Sequence, residues 1–366
     1  MAYTTINKHT DYFNTVLYTG NGATATAGTS ARSITGVGFQ PDLTWVKART
    51  NGGTAYMSNS LHDVVRGVPK TLESNSNAGQ NDVVTGYSSG GIGAFTNDGF
   101  NIYSGTTTSS NNYNGNNSTY VAWNWKAGGA GSANTVGTIN STVSANTTAG
   151  FSIVKYTGNG VSGATVGHGL GVAPKIVLIK KTSSSDSWSM LNTNINLNYY
   201  LKLEGTDAQV NDALFNNTAP DATKFTVDSD GQVNGNGNEF IAYCFAEKPG
   251  YSKFGSYSGN NNADGTFVYT GFKPAFLMIK YTGSGQNWII IDNKRPAYNL
   301  ISAGDSQNLR PNTNDAEVTS NGIDLLSNGF KCRSSDGDSN GYSTDYIYMA
   351  FGQSIVGTNN VPCTAR

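Results

Sequence analysis

A short apolar run, entered through a glycine and a proline and closed by a lysine, occurs three times in the chain. It reads PDLTWVKART from Pro41, PKIVLIKKTS from Pro174 and PAFLMIKYTG from Pro274. Gly38, Gly171 and Gly271 stand three residues before the prolines, and Lys47, Lys180 and Lys280 six residues after them. Consecutive apolar residues without the i, i+3, i+4 spacing of a helix predict a strand buried on both faces. Proline suits the start of such a strand, where no ladder donor is needed. The closing lysine either ends the strand and discourages edge pairing or marks a site that is repeated with it.

Two other features recur in fixed order around this strand. Each unit opens on an alternating strand and a Gly-Asn turn: FNTVLYTGNG from Phe13, FSIVKYTGNG from Phe151 and, weakened, YSKFGSYSGNN from Tyr251. Each closes on an aromatic strand: TYVAWNW at Thr119–Trp125, EFIAYCF at Glu239–Phe245 and DYIYMAF at Asp345–Phe351. A period of about 100 residues is too long for a solenoid repeat and suits tandem domains.

The sequence therefore predicts an all-β protein of tandem antiparallel β-sandwich units at residues 13–126, 151–249 and 250–353. A leader (1–12) precedes them, a linker (127–150) follows the first, and a tail (354–366) ends the chain. The Gly, Ala, Ser and Thr content of the linker predicts mobility between unit one and the rest. The junction at Lys248–Gly250 is so short that units two and three are expected to pack as a pair. The leader is expected to be an arm that ties the protein to a partner, or a surface tail. NSLHDVVRGVPKTLESNS, from Asn59, is the one stretch with a hint of helix. Val46, Leu178 and Met278, with Trp125, Phe245 and Phe351, are the expected core.

Composition narrows the function classes. Charged residues make up 13 % and the net charge is −1 with a pI near 6.3, so nucleic acid and anionic membranes are not expected partners. No apolar segment is long enough for membrane insertion, and MAYTTINKHTDYF has no signal-peptide pattern, which predicts synthesis in a cytoplasm. Cys244, Cys332 and Cys363 have no CxxC spacing, so neither a disulfide framework nor a zinc site is suggested.

No nucleophile, metalloprotease, P-loop or dinucleotide motif is present, and His9, His62 and His168 fall at unrelated places that read as surface or loop positions. No catalytic residue is assigned. In SSDGDSNGYSTD, residues Asp336, Asp338 and Asn340 before Gly341 match the first half of a calcium loop, but Ile347 stands where the closing glutamate would be. Calcium is the one cofactor the sequence raises; the alternative is an acidic turn that solvates itself. Tyr113, Tyr199, Tyr200 and Tyr298 sit among Asn and Ser, the composition of sugar- and protein-binding loops, and are the candidate ligand contacts.

With YTGNG, GFQPDLTWVK, GHGLGVAPKIVLIK, TYVAWNWKAGG and AYCFAEKPGYSKFGSYSGN assembled, the chain resembles a family of uncharacterised repeat-domain proteins. These are encoded among the virion genes of tailed phages of marine bacteria and cyanobacteria. The resemblance implies concanavalin A-like or jelly-roll domains displayed on a virion, on the head or as a tail appendage, made in the host cytoplasm. It implies other virion proteins as partners. The polar, aromatic loops suggest a host-surface glycan or receptor as target, and the near-zero net charge, which leaves attachment to buried area and avidity, suggests a homo-oligomer, a trimer above all. The rival readings are a glycan depolymerase of a phage tail and a capsid-stabilising decoration protein without a ligand.

Overall fold

The computed structural model describes residues 4–23, 32–50, 57–81, 90–103, 112–295, 307–320 and 322–354. Unit one holds β1 (Phe13–Thr19), β2 (Arg32–Thr35), β3 (Leu43–Ala48), β4 (Asn59–Asp63), β5 (Leu72–Glu73), β6 (Gly91–Thr96), β7 (Gly99–Tyr103) and β8 (Thr119–Trp125). Next come β9 (Ser132–Asn134), β10 (Ser141–Asn146), β11 (Phe151–Thr157), β12 (Ala164–Gly167), β13 (Ile176–Lys181), β14 (Ser189–Asn192), β15 (Tyr199–Lys202), β16 (Val210–Asn211), β17 (Lys224–Val227) and β18 (Glu239–Phe245). Unit three holds β19 (Ser252–Ser258), β20 (Phe267–Tyr269), β21 (Pro274–Tyr281), β22 (Ile289–Asp292), β23 (Gln307–Asn308), β24 (Val318–Thr319), β25 (Ile323–Leu326), β26 (Gly329–Cys332) and β27 (Asp345–Gly352).

The protein is all-β, and each unit repeats one antiparallel sandwich. In the large sheet the closing strand lies between the opening strand and the Gly-x-x-Pro strand, giving β1-β8-β3-β4, β11-β18-β13-β14 and β19-β27-β21-β22. A smaller sheet covers one face: β2-β7-β6, β12-β17 and β20-β26-β25. The registers coincide. Leu43, Ile176 and Phe276, each two residues past its proline, pair with Trp125, Phe245 and Phe351 respectively. Inside each unit a tyrosine of the opening strand stacks on its cross-strand partner: Tyr18 on Tyr120, Tyr156 on Phe240, Tyr257 on Tyr346, at 4.9, 5.2 and 5.2 Å.

The continuous apolar runs follow from two cores. Val177 and Ile179 face the small sheet of their own unit, as do Leu277 and Ile279 in unit three. The alternating residues Leu43 and Trp45, Ile176 and Leu178, Phe276 and Met278 all enter a single core shared by the three large sheets. On its axis Trp125, Phe245 and Phe351 meet as a triangle, with ring centroids 6.4, 6.0 and 5.8 Å apart. A cavity of about 20 Å³ beside them is walled by apolar side chains from all three units, among them Trp45, Leu178 and Met349. The three sandwiches thus close into a ring with pseudo-threefold symmetry. All six residues expected in the core are buried.

Several expectations are corrected. The supposed linker is structure: β10 pairs with β11 and β9 with β10, and Ile139, Val143 and Ala149 are buried. Its small residues build an added sheet edge rather than a hinge. The leader is not a free arm, because Ile6 and His9 are 2 % and 1 % exposed and His9 packs edge-on against Tyr251, 5.2 Å away. The helical hint from Asn59 is overruled by tertiary pairing, which makes β4 and β5 there. Units two and three form no privileged pair, since all three share the core.

Candidate functional site

One set of polar groups that recurs in all units lies at the seams between them. Each unit sends the loop after its fifth strand over the next unit, so that the Gln80 N–H donates to Thr182 O, the Gln209 N–H to Thr282 O, and the Glu317 N–H to Arg49 O. In the opposite direction Trp188 Nε1 donates to Glu73 O and Trp288 Nε1 to Lys202 O, both at 2.9 Å, while Asn59 Nδ2 donates to Arg310 O at 3.2 Å. Those three acceptors occupy one equivalent position, opposite Ser60 and Ser189 in two units and next to Leu309 in the third. The ring is therefore closed by the same contact made three times.

The repeated lysines belong to these seams. Lys47, Lys180 and Lys280 are fully buried in central strands, so the reading of a strand-ending lysine that blocks edges does not hold. Lys47 Nζ donates to Met57 O and, across a seam, to Thr313 O at 3.1 Å. Lys180 Nζ donates to Asp186 O at 2.7 Å and across a seam to Asn77 O at 3.0 Å, and Lys280 Nζ to Gln286 O at 2.9 Å. Burial lowers their pKa values to about 7, 8 and 8, against the pull of nearby carboxylates such as Glu73, Glu204 and Asp338. Carbonyl acceptors suit an amine in either protonation state.

A second seam corner comes in three versions. In unit one Asp63 accepts the N–H groups of Val65 and Arg66 on Oδ1, and on Oδ2 the Arg66 guanidinium and the Tyr243 hydroxyl of unit two. In unit three Asp292 does the same for Lys294 and Arg295, with Trp123 Nε1 of unit one donating at 3.0 Å. Burial alone would raise the Asp292 pKa, but Arg295 holds its carboxyl below the ordinary value. Glu317 extends this corner to Arg295 and Arg49, at 2.7 and 2.9 Å. In unit two the equivalent positions are Asn192, Ile195 and Met349, and no charge is buried at that corner.

The candidate calcium loop Ser334–Asp345 contains an asparagine clasp that recurs in all three units. Asn340 Oδ1 accepts the Asn260 N–H, while its Nδ2 donates to Asn260 Oδ1, Asn262 O and Ser334 O. Asn114 clasps Asn21 and Ala23 in the same way, and Asn234 clasps Asn159 and Val161. Asp338 accepts the Asn287 N–H at 2.7 Å and is 3.4 Å from Arg310, and Asp336 Oδ1 accepts the Asp338 N–H at 2.8 Å. These oxygens hold the loop together, and among the described residues no cluster of three or more His, Cys, Asp or Glu could hold a metal ion.

The candidate tyrosines are largely internal. Tyr113 and Tyr200 are each 2 % exposed; the Tyr113 hydroxyl meets His62 Nε2 at 2.8 Å and the Tyr200 hydroxyl donates to Gln232 at 3.4 Å. Tyr199 is half-buried on β15, and Tyr298 lies outside the described residues. His9, His62 and His168 are likewise buried rather than superficial. Beside Tyr113 the amides of Asn112 and Asn114 are buried, whereas Asn116 and Asn117, and Asn196 and Asn198 near Tyr199, are exposed.

What remains on the surface is a set of exposed aromatics on unit three that the sequence reading missed. Phe267, Tyr269 and Tyr342 are 44, 58 and 39 % exposed, and no large aromatic of the other two units is exposed among the described residues. Tyr342 stacks flat on Tyr281 with centroids 4.3 Å apart, and its hydroxyl accepts from Gln286 Nε2 at 2.9 Å. Thr344 Oγ1 and the Tyr281 hydroxyl lie 3.3 Å apart. A ring pair fixed by amide and hydroxyl groups offers a flat apolar platform with donors and acceptors at its rim.

A family model described as a domain of unknown function, DUF7483, matches residues 8–354. The chain belongs to this DUF7483 family. No curated protein and no solved structure matches it. The match runs through all three sandwiches, so the family unit is the closed ring and not the single repeat.

Proposed function

We propose that the protein is a structural and adhesive component displayed on the surface of a tailed-phage particle, acting by assembly and binding rather than turnover. The observation that carries this reading is the closed ring. The recurring lysines, asparagines and tryptophans hold loops and seams, as scaffold residues do. The sequence likeness to phage virion proteins supports the setting, with other virion proteins and a host-surface glycan as partners. The Tyr281–Tyr342 stack beside Gln286 is the adhesive element best suited to the apolar face of a sugar ring.

The test has two arms. Mass spectrometry and antibody-labelled electron microscopy of purified particles should find the protein on the surface; its absence from particles would overturn the virion assignment. The purified chain should bind host surface polysaccharide, with Tyr342→Ala weakening the binding, and should release no reducing ends. Steady release of reducing ends would replace the proposal with a depolymerase, and particle attachment without any glycan binding would reduce it to decoration.

A further inference from the structure

The small sheets of the three units each end in an equivalent strand, β2, β12 and β20, and each treats its outer edge differently. In unit two the edge is covered by the chain itself: the N–H groups of Thr138 and Ile139 donate to Thr165 O, and Gly137 and Ile139 bridge to Val166. The covering segment passes so close that a Cβ on Gly167 would stand 2.5 Å from Val136 O. In unit one the outward side chains of β2 are the polar Ser33 and Thr35, with Arg32 beside them. In unit three the positions equivalent to Thr165 and Gly167 are Phe267 and Tyr269, and they are the exposed aromatics. Among the described residues no segment covers that edge, and its own three residues carry no charge. The Asp264–Lys331 pair lies beside it, with Lys331 opposite Phe267, so what limits pairing here is the short length of the strand and that flanking pair.

The backbone of β20 is aimed outward at those same residues. Cys332 N–H donates to Thr266 O and Thr270 N–H to Asn328 O, so the even-numbered residues face β26. In an antiparallel ladder the alternate residues then turn their N–H and C=O to the other side. Phe267 and Tyr269 thus present backbone and ring together along one edge that is unpaired among the described residues, with Val268 buried between them.

We propose that a second copy of this chain pairs there, β20 against β20 antiparallel, about a twofold axis through Val268. That register is self-complementary. It sets Phe267 of each copy opposite Tyr269 of the other, in the hydrogen-bonded kind of pair, and joins two three-stranded sheets into one. It also creates two aromatic cross-strand pairs, the arrangement this fold already uses at Tyr18–Tyr120, Tyr156–Phe240 and Tyr257–Tyr346. The contact is small, so the dimer forms and dissociates with concentration. The inference rests on the strand edge alone and does not depend on where the protein is displayed.

Sedimentation equilibrium of the full chain over a concentration series tests it. The mass should rise towards twice that of the monomer, and Tyr269→Lys or Phe267→Lys should abolish the rise without moving the thermal midpoint, because both side chains are exposed. A Phe267→Cys, Tyr269→Cys double variant should give a covalent dimer on mild oxidation, and Phe267→Thr with Tyr269→Thr, copying the small polar edges, should stay monomeric. A wild-type chain that is monomeric throughout would overturn the proposal. So would an oligomer, trimer included, that survives Tyr269→Lys and the threonine pair unchanged.

Discussion

Replacing Asp63 with Ala isolates what a buried charge does at a seam. Asp63 and Arg66 are 0 and 1 % exposed in their side chains, and the carboxylate serves four donors: two backbone N–H groups, the guanidinium and the Tyr243 hydroxyl. Asp63→Ala leaves the guanidinium buried with only Leu61 O, Gln80 and Tyr243 near it. Breaking a buried pair from one side costs about 3–5 kcal/mol. Tyr243→Phe removes only the hydrogen bonds across the seam, so about 1 kcal/mol is expected. Unit two supplies the control, because its equivalent corner is Asn192, Ile195 and Met349. Transplanting it by Asp63→Asn, Arg66→Ile and Tyr243→Met should recover most of the loss, since apolar replacements of whole ion pairs are often neutral. Guanidinium unfolding followed by tryptophan fluorescence gives the numbers. A loss below about 1 kcal/mol for Asp63→Ala at unchanged m would mean that the pair is not sealed from water. A triple variant as unstable as the single one would show that the three corners are not equivalent.

Phe245→Ala should cost about 3–5 kcal/mol, because the ring touches Trp125, Phe151 and Phe351 on the axis; one unfolding transition, coincident by fluorescence and circular dichroism, should report the loss. Stability should rise between about pH 8 and pH 9.5: the lysines are near 7 to 8 when folded but 10.5 when unfolded, so over that range the unfolded chain binds more protons. Below that window the gain is absent, and a flat profile of chemical denaturation against pH would refute the burial of these amines. Asn340→Asp puts a carboxylate against Asn262 O and Ser334 O and should lower stability by about 1–3 kcal/mol, with calcium giving no rescue in calorimetry. Deleting residues 2–12 should lower the thermal midpoint rather than only release the protein from a particle, since Ile6 and His9 are core residues; an unchanged midpoint would contradict their packing.

The repeat and its three strands were legible because they follow from local chemistry. A proline, an apolar run and an aromatic closing strand leave period-two signatures that do not depend on neighbours. The ring was not legible, for a physical reason. A strand such as Ile176–Lys181 reads as buried on both faces whether its second face meets its own partner sheet or two other units. Lys180 misled for the same reason: a lysine after an apolar run looks like a strand end unless the seam that supplies carbonyl acceptors is known. Tyr113 and Asn340 sit in sequences that read as open polar loops, yet their polar atoms are bonded inside. Phe267 and Tyr269, which the sequence reading did not single out, are exposed.

These reversals share a direction that bears on function. A closed ring with three equivalent seams constrains every position that recurs, so side chains at symmetric places are spent on holding the structure together. Freedom to serve a partner exists only where one unit departs from the others and the departure costs no packing. Unit two departs by covering its β12 edge, and Gly167 has lost its side chain to make room. Unit three departs in the opposite sense, placing Phe267 and Tyr269 on an uncovered edge and Tyr342 on Tyr281 at the surface. Elsewhere among the described residues the exposed large apolar side chains are the aliphatic Leu17, Val136, Val161 and Val172, so exposed rings distinguish the surface of unit three. The symmetric positions of this chain therefore report on the fold, and the asymmetric aromatics of unit three are where its binding chemistry should be sought.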